Sequence, residues 1–214
     1  MKLVIVANRL PHSVKSVEPL ELQKSPGGLA SGLYTFLKRA SVEDWLWVGW
    51  AGSSLSKKSI EKIRDVLREE HRILPVYVPE RLMDRFYNGF CNKTLWPLFH
   101  SMPTLSSYER NAWESYLEVN RLFLKTLLEH TQLDSDTFLW IHDYHLMLLP
   151  ALVREAMPYA NIGFFLHIPF PPPEIFAQLP WRREVLEGLL GADLIGFHTY
   201  EYTTNFLRSL MNVL

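Results

Sequence analysis

The stretch LVIVANRLP at residues 3–11 decides the fold, because a short apolar run ends there at the polar pair Asn8 and Arg9. A short run without polar alternation is typical of a parallel strand that is buried on both faces. It is too short for a signal peptide or a membrane-spanning segment. We therefore expect a buried first strand, no membrane partner and a cytoplasmic location.

Similar runs recur along the chain and alternate with amphipathic stretches. The other apolar runs lie at residues 45–48, 73–78, 137–141, 162–166 and 194–197. The helical patterns lie at residues 28–39, 59–70, 108–130, 150–157, 183–190 and 200–210. This alternation predicts an α/β fold: a Rossmann-like, doubly wound, mainly parallel sheet with helices on both faces. We expect a single domain over residues 1–214, a loop insertion at residues 81–107, and a capping box of Ser106 and Glu109.

Composition excludes several classes of protein. Of the 214 residues, 48% are hydrophobic and 21% charged, as in a soluble globular domain. The 22 basic and 23 acidic residues give a net charge of -1, which argues against nucleic acid as a partner. A single cysteine, Cys91, excludes an internal disulfide framework and is read as a small buried thiol. Aromatic residues reach 13%, and they serve either core packing or the flat faces of sugar rings.

The residues that follow the apolar runs are the candidate site, since ligands of open α/β sheets bind at the carboxyl ends of the strands. They are Asn8, Arg9, Gly49, Trp50, His142, Asp143, Tyr144, His145 and His167. Strand ends without a function usually carry simple turn residues instead. Because this set is rich in cationic, acidic and aromatic side chains, we expect the active face at this edge.

Three of these residues suggest specific chemistry. Arg9 fits a phosphate, although a surface salt bridge is the alternative. Asp143 suits sugar hydroxyls, and His167 is either a site residue or a structural histidine. His142 and His145 flank Asp143, but further ligands at motif spacing and an HExxH motif are missing, so we expect no metal.

Two further segments are candidates for ligand contacts. Gly27 and Gly28 open a helix, where free N–H groups bind anions, although plain turn chemistry is the alternative. Neither GxGxxG nor a P-loop is present. The segment FYNGFCNKTLWPLFH at residues 86–100 reads as a loop whose Tyr87 and Trp96 either stack on a sugar or cover a small core.

Seven stretches in order then carry a resemblance over residues 3–199. They are VIVANRLP, SPGGLASGL, WVGWAG, FYNGFCNKTLWPLFH, WIHDYHLMLLP, GFFLHIPFPPPEIF and ADLIGFHT. The chain resembles the N-terminal half of the trehalose-6-phosphate synthases, which are retaining glycosyltransferases of the GT-B type. The resemblance implies transfer of glucose from UDP-glucose to glucose 6-phosphate, giving α,α-trehalose 6-phosphate and UDP. UDP-glucose is a co-substrate, and no cofactor is expected.

The resemblance also implies roles for individual residues. Asp143 and His167 are the catalytic candidates, one at the acceptor hydroxyls and one at the donor glucose. The implied substrate-binding residues are Arg9, Trp50, Tyr87 and Trp96 for glucose 6-phosphate, with Arg9 on its phosphate, Gly27 and Gly28 for the donor, and Ile168, with Trp96, for anomer selectivity.

A further expectation is that the second GT-B domain, which carries the nucleotide sugar, is absent from this chain. We expect the chain alone to fold, to bind glucose 6-phosphate weakly and to show no transfer. The alternatives are a transferase like the glucosylglycerol-phosphate synthases and a non-catalytic sugar-phosphate sensor. The oligomeric state is left open, with a homo-oligomer allowed.

Overall fold

A parallel sheet forms the centre of the chain, in a computed structural model that describes residues 2–25, 28–39, 42–52 and 55–214. The strands are β1 (Lys2–Arg9), β2 (His12–Val17), β3 (Leu20–Lys24), β4 (Trp45–Trp50), β5 (Ile73–Val76), β6 (Thr137–His142), β7 (Asn161–Phe165) and β8 (Leu194–Gly196). The sheet has the order β5-β4-β1-β6-β7-β8, and every pair in it is parallel. The antiparallel pair β2–β3 stands apart as a hairpin.

Numbered in chain order, the six sheet strands follow the Rossmann arrangement 3-2-1-4-5-6. All six apolar runs of the sequence are strands, so the predicted doubly wound sheet is confirmed. The order in which successive strands are added to the sheet reverses between β1 and β6, and such folds bind their ligands at this switch point. β1 lies at the centre, and its Val4 pairs with Leu46 on one side and Leu139 on the other.

Helices cover both faces of the sheet and bury two cores. They are α1 (Gly28–Arg39), α2 (Lys57–His71), α3 (Glu80–Met83), a π-helix (Asp84–Leu95), α4 (Trp96–Phe99), α5 (Arg110–His130), α6 (Leu149–Ala156), α7 (Pro173–Phe176), α8 (Arg182–Leu189) and α9 (Tyr200–Val213), with 3₁₀ turns at Pro103–Leu105 and Tyr144–Leu146. Val4 and Val6 of β1 face the larger core, which includes α5, whereas Leu3 and Ile5 face the core under α1 and α2. Of the described helices, none has the length and apolar character needed to cross a membrane.

Two predictions for residues 81–130 are wrong. The expected loop insertion at residues 81–107 is helical as far as Phe99, because Phe86, Phe90 and Leu95 form one buried face that packs near α5. The expected capping box does not form either. Helix α5 begins at Arg110, and Glu109 itself occupies the cap position without a side-chain cap hydrogen bond.

Candidate active site

The guanidinium group of Arg9 is held by two aromatic rings at the end of β1. Its Cζ atom lies 5.2 Å from the centroid of the Trp50 ring and 5.1 Å from that of Tyr87. The β1–β4 register shifts between Val6 and Arg9, and beyond this irregularity Arg9 pairs with Trp50. No acidic side chain in the described ranges pairs with Arg9, so the surface salt bridge considered for it does not form. Its donors are therefore free for an anion.

Tyr87 links Arg9 to the end of β6. It projects from the π-helix, and its ring stacks on that of His145 with centroids 5.7 Å apart and planes 7° from parallel. The π-helix is fixed to the same segment by the hydroxyl of Tyr144, which donates to Oδ1 of Asn92 over 3.3 Å. A helix in place of the expected loop thus gives Tyr87 a rigid base.

Asp143 has a strained backbone and a buried carboxyl group. Its φ of 75° and ψ of 166° fall in a region that is essentially restricted to glycine and costs on the order of 1–3 kcal/mol. Its N–H donates to the carbonyl oxygen of Phe165 over 2.8 Å, and its Oδ1 accepts from the backbone N–H of His167 over 3.2 Å. Burial raises the pKa of Asp143 to about 6, although the N–H groups of Tyr144 and His167 oppose this shift. A carboxylate of raised basicity therefore faces the site.

Buried side chains of α5 support the strained turn from behind. The Tyr116 hydroxyl donates to the carbonyl oxygen of Tyr144 over 2.8 Å and accepts from the N–H of Met147 over 3.0 Å. Asn120 Nδ2 donates to the carbonyl oxygen of His145 over 3.2 Å. Sequence reasoning missed both residues, since nothing in an amphipathic pattern distinguishes a buried tyrosine that only packs from one that also holds a turn.

Three histidines around Asp143 are neutral at neutral pH. Burial, and then the charge of Arg9, lowers the pKa of His145 to about 3. Its Nδ1 lies 3.9 Å from Oδ2 of Asp143, but the neutral ring forms no ion pair. Burial also lowers the pKa of His142 to about 3 and that of His167 to about 4, each with a smaller contribution from a neighbouring histidine. The expectation that this cluster binds no metal stays a prediction.

A cavity of about 150 Å³ lies at the junction of these groups. Its polar lining comes mainly from Asn8, Arg9, Tyr87, Asp143 and His145. Asn8 is almost completely buried, and its Oδ1 has no hydrogen-bond partner within residues 2–25, 28–39, 42–52 and 55–214. The sequence puts Asn8 at a strand end but assigns it no role, whereas the structure places it in the lining of the cavity.

The remaining predicted residues that the structure describes do not line this cavity. Gly28 is the first residue of α1, and a Cβ atom there would meet open space, which leaves room for a ligand. Gly27 lies outside the described residues. Ile168 follows His167 and packs against the larger core. Trp96 is 41% exposed and stacks on His100, with no ring contact or hydrogen bond to the Arg9 group.

These features define a Rossmann-like α/β domain with a polar ligand site at the switch point of its sheet. The chain belongs to glycosyltransferase family 20, whose model matches residues 1–214. It is 44% identical over 219 residues to an alpha,alpha-trehalose-phosphate synthase (UDP-forming) of Emericella nidulans, covering 100% of this chain and 42% of that protein. The chain thus spans less than half the length of this relative.

Solved structures agree with this assignment. An alpha,alpha-trehalose-phosphate synthase (UDP-forming) from Burkholderia xenovorans, in complex with glucose-6-phosphate, is 32% identical with a TM-score of 0.79, over 99% of this chain and 43% of that one. A structure described as trehalose-6-phosphate from E. coli, bound with UDP-2-fluoro glucose, is 36% identical with a TM-score of 0.76, over 99% of this chain and 43% of that one.

Proposed function

We propose that the chain is the acceptor-binding domain of an enzyme that transfers glucose from UDP-glucose to glucose 6-phosphate. The products are α,α-trehalose 6-phosphate and UDP, and the donor configuration is retained. The observation that carries this proposal is the guanidinium of Arg9, which has no acidic partner among the described residues, lies against Trp50 and Tyr87, and lines one cavity with the Asp143 carboxylate. A guanidinium matches phosphate oxygens, and a carboxylate matches sugar hydroxyls. The glucose-6-phosphate in the Burkholderia relative supports the same acceptor.

On the acceptor side, Arg9 binds the phosphate, and Trp50 and Tyr87 line the pocket. Trp96 lies four residues beyond Asn92 on the same continuous helical segment and contacts the acceptor from its exposed position. Asp143 binds hydroxyls close to the reacting anomeric centre, since its carboxyl group lines the cavity together with Arg9.

On the donor side, the N-terminus of α1 at Gly28, with the preceding Gly27, approaches the diphosphate or the sugar. Free N–H groups at a helix N-terminus favour anions. His167 contacts the donor glucose, and Ile168 shapes the pocket between the two sugars. A second domain supplies the cations for the diphosphate, and the short span of this chain relative to its relatives supports that division.

The reaction is a substitution on the front face of the donor glucose. The bond from the anomeric carbon to the diphosphate oxygen breaks, and the acceptor anomeric oxygen forms the new bond on the same face. The acceptor proton passes to the leaving diphosphate. His145 and His167 are poor bases at neutral pH, because burial holds the pKa of each at about 4 or below. The Asp143 carboxylate stabilises the oxocarbenium-like transition state by its charge.

Two experiments test this function: calorimetry on this chain, and an activity assay on a fusion of this chain with the second domain of a family member. The chain should bind glucose 6-phosphate, but bind glucose at least about tenfold more weakly, since a charge-assisted contact contributes more than 1 kcal/mol. Joined to the second domain of a family member, it should release UDP from UDP-glucose only when glucose 6-phosphate is present. Binding without turnover in the joined protein would indicate a sensor, and turnover with glycerol 3-phosphate instead would indicate the glucosylglycerol-phosphate reaction.

A further inference from the structure

His142, the last residue of β6, is hydrogen-bonded through its ring to His167. Nδ1 of His142 lies 3.0 Å from Nε2 of His167. We propose that His142 is a positioning residue that fixes the ring of His167, so that only Nδ1 of His167 is left to meet the substrate. The proposal rests on the proposed function only for the identity of that substrate.

The geometry of β6 and β7 gives His167 two anchors. His142 pairs with Phe165 in the parallel ladder, so the residue two positions beyond Phe165 presents its ring on the same face as His142. The backbone N–H of His167 is held by Oδ1 of Asp143, while its ring is held by His142. The first anchor fixes the position of the residue, and the second fixes the rotation of the ring.

His142 itself cannot reach a substrate. It is fully buried, and its ring packs against that of Trp140 with centroids 4.5 Å apart. Its Nε2 has no hydrogen-bond partner among the described residues. An apolar side chain would fill this space without leaving a buried polar atom unpaired. The hydrogen bond from its Nδ1 to the ring of His167 accounts for a histidine at this position.

The hydrogen bond also restricts where the His167 proton resides. Burial favours the neutral form of both rings, as the lowered pKa values of His142 and His167 indicate. Two neutral rings share one proton across the Nδ1–Nε2 contact. The proton positions on the two rings are therefore coupled: when Nδ1–H of His142 donates, His167 carries its proton on Nδ1, and when Nε2–H of His167 donates, His142 carries its proton on Nε2. The second arrangement places an N–H group at the buried Nε2 of His142, which has no partner among the described residues, so the first is the favoured tautomer.

Nitrogen NMR of the imidazole rings tests the proposal on the 214-residue chain without any substrate. In the wild type, the His167 ring nitrogens should show the shifts of one neutral tautomer. His142→Leu removes the partner and should shift them towards the average of two tautomers. His142→Asn is the matched control, because its amide lies where Nδ1 lay and should restore one tautomer. Averaged shifts in the wild type, or unchanged shifts in His142→Leu, would overturn the proposal.

Kinetics of the chain joined to a family second domain give an independent readout. We expect His142→Leu to lower kcat about tenfold, the equivalent of one lost hydrogen bond, with the KM for glucose 6-phosphate unchanged. His142→Asn should recover most of that loss. A joined protein that never turns over would contradict the proposed function and leave the NMR result standing. Equal kcat values for His142→Leu and the wild type would contradict the positioning role.

Discussion

The indole N–H of Trp47 donates to the carbonyl oxygen of Arg9 over 3.2 Å. The next residue, Leu10, donates its N–H to the carbonyl oxygen of Trp50 over 2.9 Å. Strand β4 therefore holds both polar groups of the peptide bond between Arg9 and Leu10, where β1 ends. Arg9, the candidate phosphate-binding residue, therefore has a fixed backbone, and only its side chain has to adjust when a phosphate binds.

Replacing Arg9 should weaken the binding of glucose 6-phosphate. We expect Arg9→Ala to reduce affinity about 10- to 100-fold, because a hydrogen bond to a charged group contributes about 1.5–3 kcal/mol. Arg9→Lys should recover only part of it, since an ammonium lacks the planar fork. Titration calorimetry provides the measurement. Arg110→Ala, at an exposed pair with Glu114, removes the same charge and should bind like the wild type.

The close approach of β4 to β1 should make Gly49→Ala destabilising. A Cβ atom at this position would lie 2.8 Å from the backbone of Ala7, Arg9 and Leu10, and backbone cannot move aside as a flexible side chain can. The expected cost is about 1–3 kcal/mol in the free energy of unfolding, measured by thermal or urea denaturation. Gly32→Ala is the matched control in α1, where the new methyl group meets open space. That variant should be as stable as the wild type or slightly more stable.

The buried carboxyl group of Asp143 should make stability depend on pH. The folded-state pKa of about 6 lies above the ordinary value of 3.8, so the folded chain binds this proton more tightly than the unfolded chain. Stability is therefore lost as the pH rises from about 4 to about 6. Asp143→Asn removes this loss and should be more stable than the wild type above pH 6, by up to about 3 kcal/mol.

Calorimetric unfolding at several pH values checks this prediction. The difference between Asp143→Asn and the wild type should disappear below about pH 4, where both side chains are neutral. Asp136→Asn, at an exposed position, is the control for loss of a negative charge. A difference that stays constant from pH 4 to pH 7 would show that ionisation of Asp143 is not its cause.

Asn8→Leu should weaken ligand binding without weakening the fold. The Oδ1 of Asn8 is buried and has no partner in the described part of the chain, so replacing the amide by an apolar group of similar size removes an unsatisfied polar atom. We expect an unchanged or higher Tm, together with a smaller rise in Tm on adding glucose 6-phosphate. Asn120→Leu is the contrasting variant, because its amide donates to Tyr116 and His145. That change should lower the Tm, and a similar drop for Asn8→Leu would contradict the assignment.

The sheet was predictable because buried parallel strands leave continuous apolar runs. Residues 12–24 leave no such run, since the hairpin of β2 and β3 is largely exposed, and the sequence therefore did not reveal it. The π-helix was hidden for a different reason. Its asparagines, glycine and lysine resemble a loop, and only its packing near α5 selects the buried face of Phe86 and Phe90.

The edge that carries the site was predictable from strand ends, but the contacts between its members were not. Arg9, Asp143 and His167 each follow an apolar run, and parallel strands bring such ends to one edge. The stacking of Tyr87 on His145 depends on the path of a helix far away in sequence. The support from Tyr116 is likewise a long-range contact, which local patterns do not encode.

One hydrogen bond joins the two sides of the proposed reaction. Oδ1 of Asp143, assigned to the acceptor, accepts from the backbone N–H of His167, assigned to the donor. This bond uses the backbone of His167, so His167→Ala keeps it whereas Asp143→Ala removes it. Under the proposed function, Asp143→Ala should therefore weaken donor binding as well as acceptor binding, because it leaves the backbone of His167 without this anchor. Donor and acceptor affinity are expected to change together for this reason.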